Sequence, residues 1–205
     1  MTNLGSLAAD QGDYGSARAF LEESLTLWRA LGGAGIPYVL VILGRLAHGQ
    51  GDYLGAQAIL EESLAIARRE KHPPYISSAL NHLGRVARSR GDHDAALTLL
   101  KEALTVQRKV GERLGMSECL EAFATVVLAL GRPRFAARIW GGAEQLRDEI
   151  KAPMTSFDRA WHDREVSALR TALGDDAAFD FARQEGRAMS IDQVVNDALA
   201  FDPEA

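Results

Sequence analysis

One short phrase recurs along the chain at a nearly constant interval. The turn Gly-Asp-Tyr stands at residues 12–14 and again at 51–53, Gly-Asp-His stands at 91–93, and a divergent copy, Gly-Arg-Pro, stands at 131–133. Successive glycines are therefore 39, 40 and 40 residues apart. Self-similarity at a fixed period of roughly 20–50 residues is the signature of a solenoid, in which each unit packs mainly on its neighbours. This period constrains the fold more than any other feature of the sequence.

Small and large residues also recur at fixed distances from each turn glycine. An alanine follows five residues after the glycine, a large apolar residue follows four positions later, and a Leu-Gly or Phe-Ala pair starts eight residues before it. In the third copy, the preceding segment has an apolar stripe with helical spacing, Gly91 suits the end of that helix, and Asp92 can cap the next one. Each unit is therefore predicted to be a helix, a tight turn and a second helix. Gly84 and Ala96 are predicted to lie where the two helices approach closely, because larger side chains would separate them.

Composition and charge exclude several classes of protein. The formal net charge of -5 argues against a general nucleic-acid binder, so we expect no direct nucleic-acid binding. The single cysteine, Cys119, allows neither an intramolecular disulfide nor a zinc cage, and is expected to be a small buried hydrophobe. The most apolar window, IPYVLVILG, is too short to span a bilayer, and the opening residues lack a basic signal-peptide region. We therefore expect a cytoplasmic protein without a membrane partner.

The repeated pattern resembles the tetratricopeptide repeat (TPR) family over roughly residues 1–150. The resemblance rests on the Leu-Gly pair, the Gly-Asp-Tyr turn, the alanine and the large apolar residue of the second helix. It implies an all-α, right-handed superhelical solenoid of about four helix-turn-helix repeats with a short C-terminal helical cap. Leu4 has only three residues before it, so the first repeat is expected to be truncated at its N-terminus. Such an uncapped end predicts that the chain is a piece of a longer protein or starts at a misassigned Met1.

The period fails after Ile150, and residues 151–205 are predicted to form a three-helix cap. Pro153 breaks the preceding helix, Thr155 or Ser156 can cap the next one, and Ser190 with Gln193 forms a capping box before the last. The tail also resembles the C-terminal TPR region of bacterial multidomain STAND-type ATPases and transcriptional regulators. The matching elements are Trp140-Gly141-Gly142-Ala143-Glu144, Leu173-Gly174, Phe179, Phe181, Gly186-Arg187-Ala188 and Ser190. This resemblance implies a sensor or partner-binding arm, without the ATPase or DNA-binding parts, since the chain has no phosphate-binding loop and no helix-turn-helix with a basic recognition helix.

No arrangement of residues predicts catalysis, a metal or a cofactor. The five histidines fall in different units, with no pair at ligand spacing. The glycine-rich stretch 32–35 follows a helix rather than a strand, so it is interpreted as a linker and not as a phosphate loop. Trp28, Trp140 and Trp161 are expected to pack in the core or between repeats. The chain is therefore not expected to be an enzyme.

One candidate binding surface remains. The TPR resemblance implies that the first helices of the repeats line a concave groove. The residues carried over to it are Tyr38, Arg45, His48, Asn81, His82, Arg85, Arg88, Glu118 and Glu121. Arg45 and Arg85 occupy equivalent positions one repeat apart, and with Asn81 they could hold a carboxylate or phosphate of a peptide. The alternative is that both arginines are solvated or form salt bridges with Glu118 and Glu121.

These features predict a non-catalytic protein-protein interaction or signal-sensing module, as the C-terminal arm of a bacterial regulatory protein. Its partner would be a protein, a peptide or the upstream domains of a longer chain. Two alternatives stay open. One is a sensor of a small-molecule or nucleotide effector that uses the region of Arg45 and Arg85. The other is a self-association scaffold, in which a homodimer forms through the uncapped N-terminal repeat.

Overall fold

The computed structural model describes residues 1–152, 154 and 156–204, and these residues form eleven α-helices and no strand. The all-α prediction is confirmed. The repeat helices are α1 Thr2–Asp10, α2 Tyr14–Leu31, α3 Ile36–Gly49, α4 Tyr53–Arg69, α5 Pro73–Ser89, α6 His93–Val110, α7 Arg113–Ala129 and α8 Pro133–Glu149. The tail helices are α9 Ser156–Leu173, α10 Asp176–Arg187 and α11 Ile191–Ala200. Each helix packs on the next one along the chain through the repeats, as a solenoid requires.

The recurring turn has the conformation that its residues predict. The four turn glycines have φ between 75° and 81°, a left-handed conformation that favours glycine. In the first three turns the aspartate after the glycine accepts a hydrogen bond from the backbone N–H three residues later. These bonds are Asp13 to Ser16 at 3.1 Å, Asp52 to Gly55 at 2.9 Å and Asp92 to Ala95 at 3.1 Å. In the fourth turn Arg132 makes no such cap, and Pro133 begins the helix instead.

The small residues before the turns allow the paired helices to approach closely. A Cβ atom built on Gly5, Gly44 or Gly84 would lie 2.5–2.7 Å from the Cγ of the leucine on the facing helix. Those leucines are Leu21, Leu60 and Leu100, and all three are fully buried. The predicted close contact at Gly84 is therefore confirmed. Cys119 is also buried as predicted, and its burial raises the pKa of the thiol.

The tail helices pack on different helices of the repeats. Helices α10 and α11 pack on α8, and the predicted capping box of Ser190 and Gln193 is present. Helix α9 packs against α7 and α8 and reaches α5 through an ion pair between Glu165 and Arg88. The tail is thus more than a cover for the last repeat. The expected helix break at Pro153 and the expected cap at Thr155 lie outside the described residues, and no described helix is long and apolar enough to cross a membrane.

Candidate functional site

A cavity of about 520 Å³ lies between α3, α5 and α9, where the tail faces the first helices of the second and third repeats. Four arginines line it: Arg45, Arg85, Arg88 and Arg164. Among the described residues that line this cavity, none is an aspartate or a glutamate. We call it the arginine cavity. Arginine side chains are donors that suit carboxylate and phosphate groups.

The structure brings most of the predicted groove residues to this region. Arg45, His48, His82, Arg85 and Arg88 line the arginine cavity. A small adjoining cavity of about 40 Å³ shares three of these residues and is also lined by Glu118 and Glu121. A third cavity, of about 210 Å³, shares Arg45 and is lined by Tyr38. Asn81 lines none of the three, and its side chain is buried.

Helix α9 is tied to α5 by two contacts of arginine side chains. The two guanidinium nitrogens of Arg88 donate to the two carboxylate oxygens of Glu165, at 3.4 and 3.0 Å. The guanidinium of Arg85 lies 4.0 Å from the centroid of the Trp161 ring, a cation–π contact. Glu165 is only 4% exposed, so its charge needs the compensation that Arg88 gives. These contacts hold α9 as the wall of the cavity opposite α5.

A buried carboxylate anchors the other side of α9. Glu144 on α8 accepts hydrogen bonds from the Trp140 indole at 3.1 Å and from Arg183 of α10 at 2.5 Å. His162 of α9 lies 3.5 Å from the same carboxylate. Burial alone would raise the pKa of Glu144, but the neighbouring His162 and Arg183 lower it below its ordinary value. One negative group therefore joins α8, α9 and α10.

The two histidines of the arginine cavity are neutral at pH 7. Burial, and then the charges of Arg85 and Arg88, lower the pKa of His48 to about 4. Burial, and then Arg45, Arg85 and His48, hold the pKa of His82 well below its ordinary value. Nε2 of His48 lies 2.8 Å from the Ser89 hydroxyl, which can donate to it. The positive charge of the cavity therefore comes from its arginines.

The two acidic groove residues differ in their surroundings. Glu121 is 3% exposed and accepts two hydrogen bonds from the Arg147 guanidinium, at 3.0 and 3.1 Å. Burial raises the pKa of Glu118, and the charges of Arg85 and Arg45 partly oppose that rise. Glu121 therefore has Arg147 as its ion-pair partner, which was not among the partners expected from the sequence.

Sequence reasoning assigned the site to the first helices of the repeats and missed the contribution of the tail. Trp161, Arg164 and Glu165 come from α9 and complete the wall of the cavity or tie it to α5. Trp161 was expected to pack in the core or at an interface, and it packs beside Trp140 with ring centroids 5.8 Å apart. The one available signal was a lone tryptophan in the charged helix WHDRE. That signal does not say which repeat the tryptophan contacts.

The glycine-rich loop at residues 32–35 has a structural explanation. The Trp28 ring covers the loop at Gly33 and Gly35, where an added Cβ would collide with the indole, so these glycines make room for the tryptophan. This agrees with the interpretation of the loop as a linker between repeats. Within the described residues, no group of three or more histidine, cysteine, aspartate or glutamate side chains could hold a metal ion.

Comparison with known proteins agrees with this architecture. The family model described as tetratricopeptide repeat matches residues 1–73 and 75–139. The crystal structure of BtubC (BKLC) from P. vanneervenii is similar in fold, with a TM-score of 0.63 at 15% sequence identity over 98% of this chain and 80% of that one. No curated protein sequence gives a significant match. Since the family match covers more than half of the chain and the helices repeat as the family requires, the chain belongs to the tetratricopeptide repeat family.

Proposed function

We propose that this chain is a protein-interaction module that holds an acidic segment of its partner in the arginine cavity. TPR repeats suggest protein–protein interaction in general. The observation that carries the more specific proposal is the convergence of four arginines, from α3, α5 and α9, on one cavity. Arginine donates two parallel hydrogen bonds to a carboxylate or a phosphate, so it recognises such groups by geometry as well as by charge.

Preorganisation favours binding at this site. Arg85 is placed by Trp161, and the cavity wall is held by the Glu144 and Glu165 contacts of α9. A partner segment would therefore meet side chains that are already oriented, and less conformational entropy would be lost on binding. The neutral histidines add no positive charge to the cavity. His48 and the hydroxyl groups of Tyr14 and Tyr53 can form hydrogen bonds with the segment.

We also propose that the chain serves a bacterial regulatory protein. The resemblance of the tail to the C-terminal region of STAND-type regulators supports an interaction arm of a bacterial regulatory protein. In that reading residues 1–150 are the repeat array and residues 151–205 are the C-terminal cap, which also supplies one wall of the binding cavity through α9. The partner would be another protein, or further domains of a longer chain.

The double substitution Arg45→Ala and Arg85→Ala is expected to abolish the selection of acidic peptides from a displayed random library. The wild-type protein should enrich sequences rich in aspartate and glutamate, because the guanidinium groups of Arg45 and Arg85 can donate to carboxylates from two neighbouring repeats. Sequencing of the selected pools measures the enrichment. Arg69→Ala is a matched control, because Arg69 has a side chain 72% exposed and lines none of the three cavities. Equal acidic enrichment by the double variant, with unchanged circular dichroism, would contradict the proposed site.

A second candidate function is self-association, and the N-terminal face favours it. Leu4 and Leu7 of α1 are 49% and 53% exposed, whereas Leu43 and Leu46, at the equivalent positions of the second repeat, are 6% and 5% exposed. The latter pair packs in the same cluster as Leu21 and Leu25 of the preceding helix α2. At the other end α8 is covered by α10 and α11, so a second copy would have to meet the first through the same N-terminal face.

Light scattering with size-exclusion chromatography tests this candidate. A dimer is expected at high micromolar concentration, and Leu4→Lys with Leu7→Lys is expected to make the protein monomeric, because two charges would be buried in the apolar contact. Leu54→Lys is the matched control, since Leu54 is 71% exposed and lies on α4. A wild-type protein that stays monomeric throughout the concentration series would reject self-association through this face.

A further inference from the structure

The cavity of about 210 Å³ occupies the same place in the repeat array as the arginine cavity, one repeat earlier. It lies between α1 and α3, whereas the arginine cavity lies between α3 and α5, with α9 as a further wall. Helices α1, α3 and α5 are the first helices of successive repeats, so the period that builds one space also builds the other. Tyr14, Arg45 and Gly49 line both cavities, so the two adjoin along the groove. We call the smaller one the α1–α3 pocket.

The side chains at equivalent positions of the two cavities differ in chemistry. Counted from the turn glycines, three positions change from large polar side chains in the arginine cavity to small or aliphatic ones in the α1–α3 pocket. The equivalent pairs are Arg45 and Ser6, His48 and Ala9, and His82 and Ile42. The groove therefore has a less polar site directly beside the arginine cavity.

Aliphatic side chains and tyrosine rings line the α1–α3 pocket. Ile42 and Leu46 are buried there, and Tyr38 lines the pocket from an exposed position. The described lining also includes one carboxylate, Asp10, and one guanidinium, Arg45. Charges of opposite sign give little preference for a charged ligand, whereas apolar surface gains free energy by leaving water. The lining therefore suits an uncharged apolar group.

We propose that the α1–α3 pocket receives a large apolar side chain of the partner segment whose acidic residue enters the arginine cavity. This inference rests on the proposed function and adds a second feature of the partner. A volume of about 210 Å³ is below the roughly 300–1,000 Å³ of small-molecule sites, so the pocket suits a single side chain. A few side chains that fill well-packed pockets supply much of the binding energy of a protein interface.

Helix packing sets the distance between the two side chains of the partner. Helix α1 contacts α3, and α3 contacts α5. Packed helices lie about 8–10 Å apart, so equivalent points of the two sites are separated by about the same distance. A polyproline II segment has about three residues per turn and rises about 3.1 Å per residue, so side chains three positions apart point the same way and lie about 9 Å apart. An apolar residue three positions before or after an acidic residue would therefore let the segment fill both sites.

Selection from a displayed random peptide library tests the inference. Among the acidic peptides that the wild-type protein enriches, we expect leucine, isoleucine, methionine or phenylalanine to be enriched three positions from an aspartate or a glutamate. Ser6→Arg with Ala9→His is expected to remove this apolar preference and to keep the acidic enrichment, because it gives the pocket the side chains that the second repeat carries at the equivalent positions. Tyr38→Ser is expected to weaken the preference, and since Tyr38 is 42% exposed its replacement should leave the fold intact. Ala30→Arg is the matched control and should change neither preference, because Ala30 is an exposed residue of α2 that lines none of the three cavities.

Calorimetry with a selected peptide measures the contribution of its apolar residue. Replacing that residue by serine is expected to weaken binding roughly tenfold or more, because an apolar side chain no longer leaves water on binding. Acidic enrichment without an apolar preference at this spacing would overturn the inference and leave the proposed function standing. So would a preference that both Tyr38→Ser and folded Ser6→Arg with Ala9→His retain. An absence of acidic enrichment by the wild type would instead contradict the proposed function itself, and the inference with it.

Discussion

Replacing Gly186 by alanine is expected to separate α10 from α8 and to lower the free energy of unfolding by about 3 kcal/mol. A Cβ atom at Gly186 would fall on the backbone carbonyl of Arg138, and one at Gly141 would fall on the backbone carbonyl of Arg183. The two helices therefore cross with backbone against backbone. A flexible side chain could turn aside to relieve such a collision, but a helical carbonyl cannot move without shifting the whole helix. The energetic penalty should therefore be at the upper end of the range for overpacked sites.

Urea denaturation followed by circular dichroism measures this loss. Gly15→Ala is the matched control, because an alanine Cβ at Gly15 would make only an ordinary contact of 3.7 Å with Asp13 at the start of α2. The control should be neutral or stabilising by up to about 1 kcal/mol, since alanine has the higher helix propensity. If Gly186→Ala and Gly15→Ala unfolded at the same urea concentration, the close crossing of α8 and α10 would be wrong.

The crossing of α8 and α10 also gives a physical reason for two glycine-containing motifs. In the sequence these motifs were recognised only because they resemble those of a known family. The Trp-Gly-Gly segment at 140–142 and the Gly-Arg-Ala segment at 186–188 lie about 45 residues apart in the chain, and the structure joins them where α8 meets α10. No local rule pairs two glycines at that separation. The repeat turns, by contrast, were predictable because Gly91, Asp92 and their equivalents act through backbone conformation and a hydrogen bond three residues away.

One part of the proposed binding site follows from the repeat pattern, and the other part depends on a contact between residues far apart in the sequence. The positions of Arg45 and Arg85 follow from the repeat period, because equivalent residues of successive units face the same side. The far wall of the cavity depends on α9, which meets α5 through residues 77 positions apart in the chain, Arg88 and Glu165. Nothing in the period determines that contact, since the period has ended by then. The arginines could therefore be predicted as a pair, but the enclosed cavity could not.

A buried ion pair next to the arginine cavity leads to the second large effect. Arg147 and Glu121 are 9% and 3% exposed, and their two hydrogen bonds connect α8 to α7. Arg147→Met is expected to lower the free energy of unfolding by about 3–5 kcal/mol, because it leaves a buried carboxylate without its partner. Adding Glu121→Leu should restore much of that loss, because the remaining charge is then removed as well.

Ligand binding separates the structural role of this pair from a role in recognition. Glu121 and Arg147 both line the small cavity that also contains Arg45 and Arg85. When Arg147 is absent, the Glu121 carboxylate is expected to repel acidic peptides near Arg45 and Arg85, so Arg147→Met should weaken the selection of acidic peptides even under conditions where the variant is folded. The double variant with Glu121→Leu should select acidic peptides like the wild type, because neither charge remains. Sequencing of the peptide pools selected by the three proteins measures both steps. An unchanged enrichment by folded Arg147→Met would mean that Arg147 serves only the packing of α7 on α8, whereas a loss that Glu121→Leu reverses would show that the pair keeps an acidic group away from the cavity arginines.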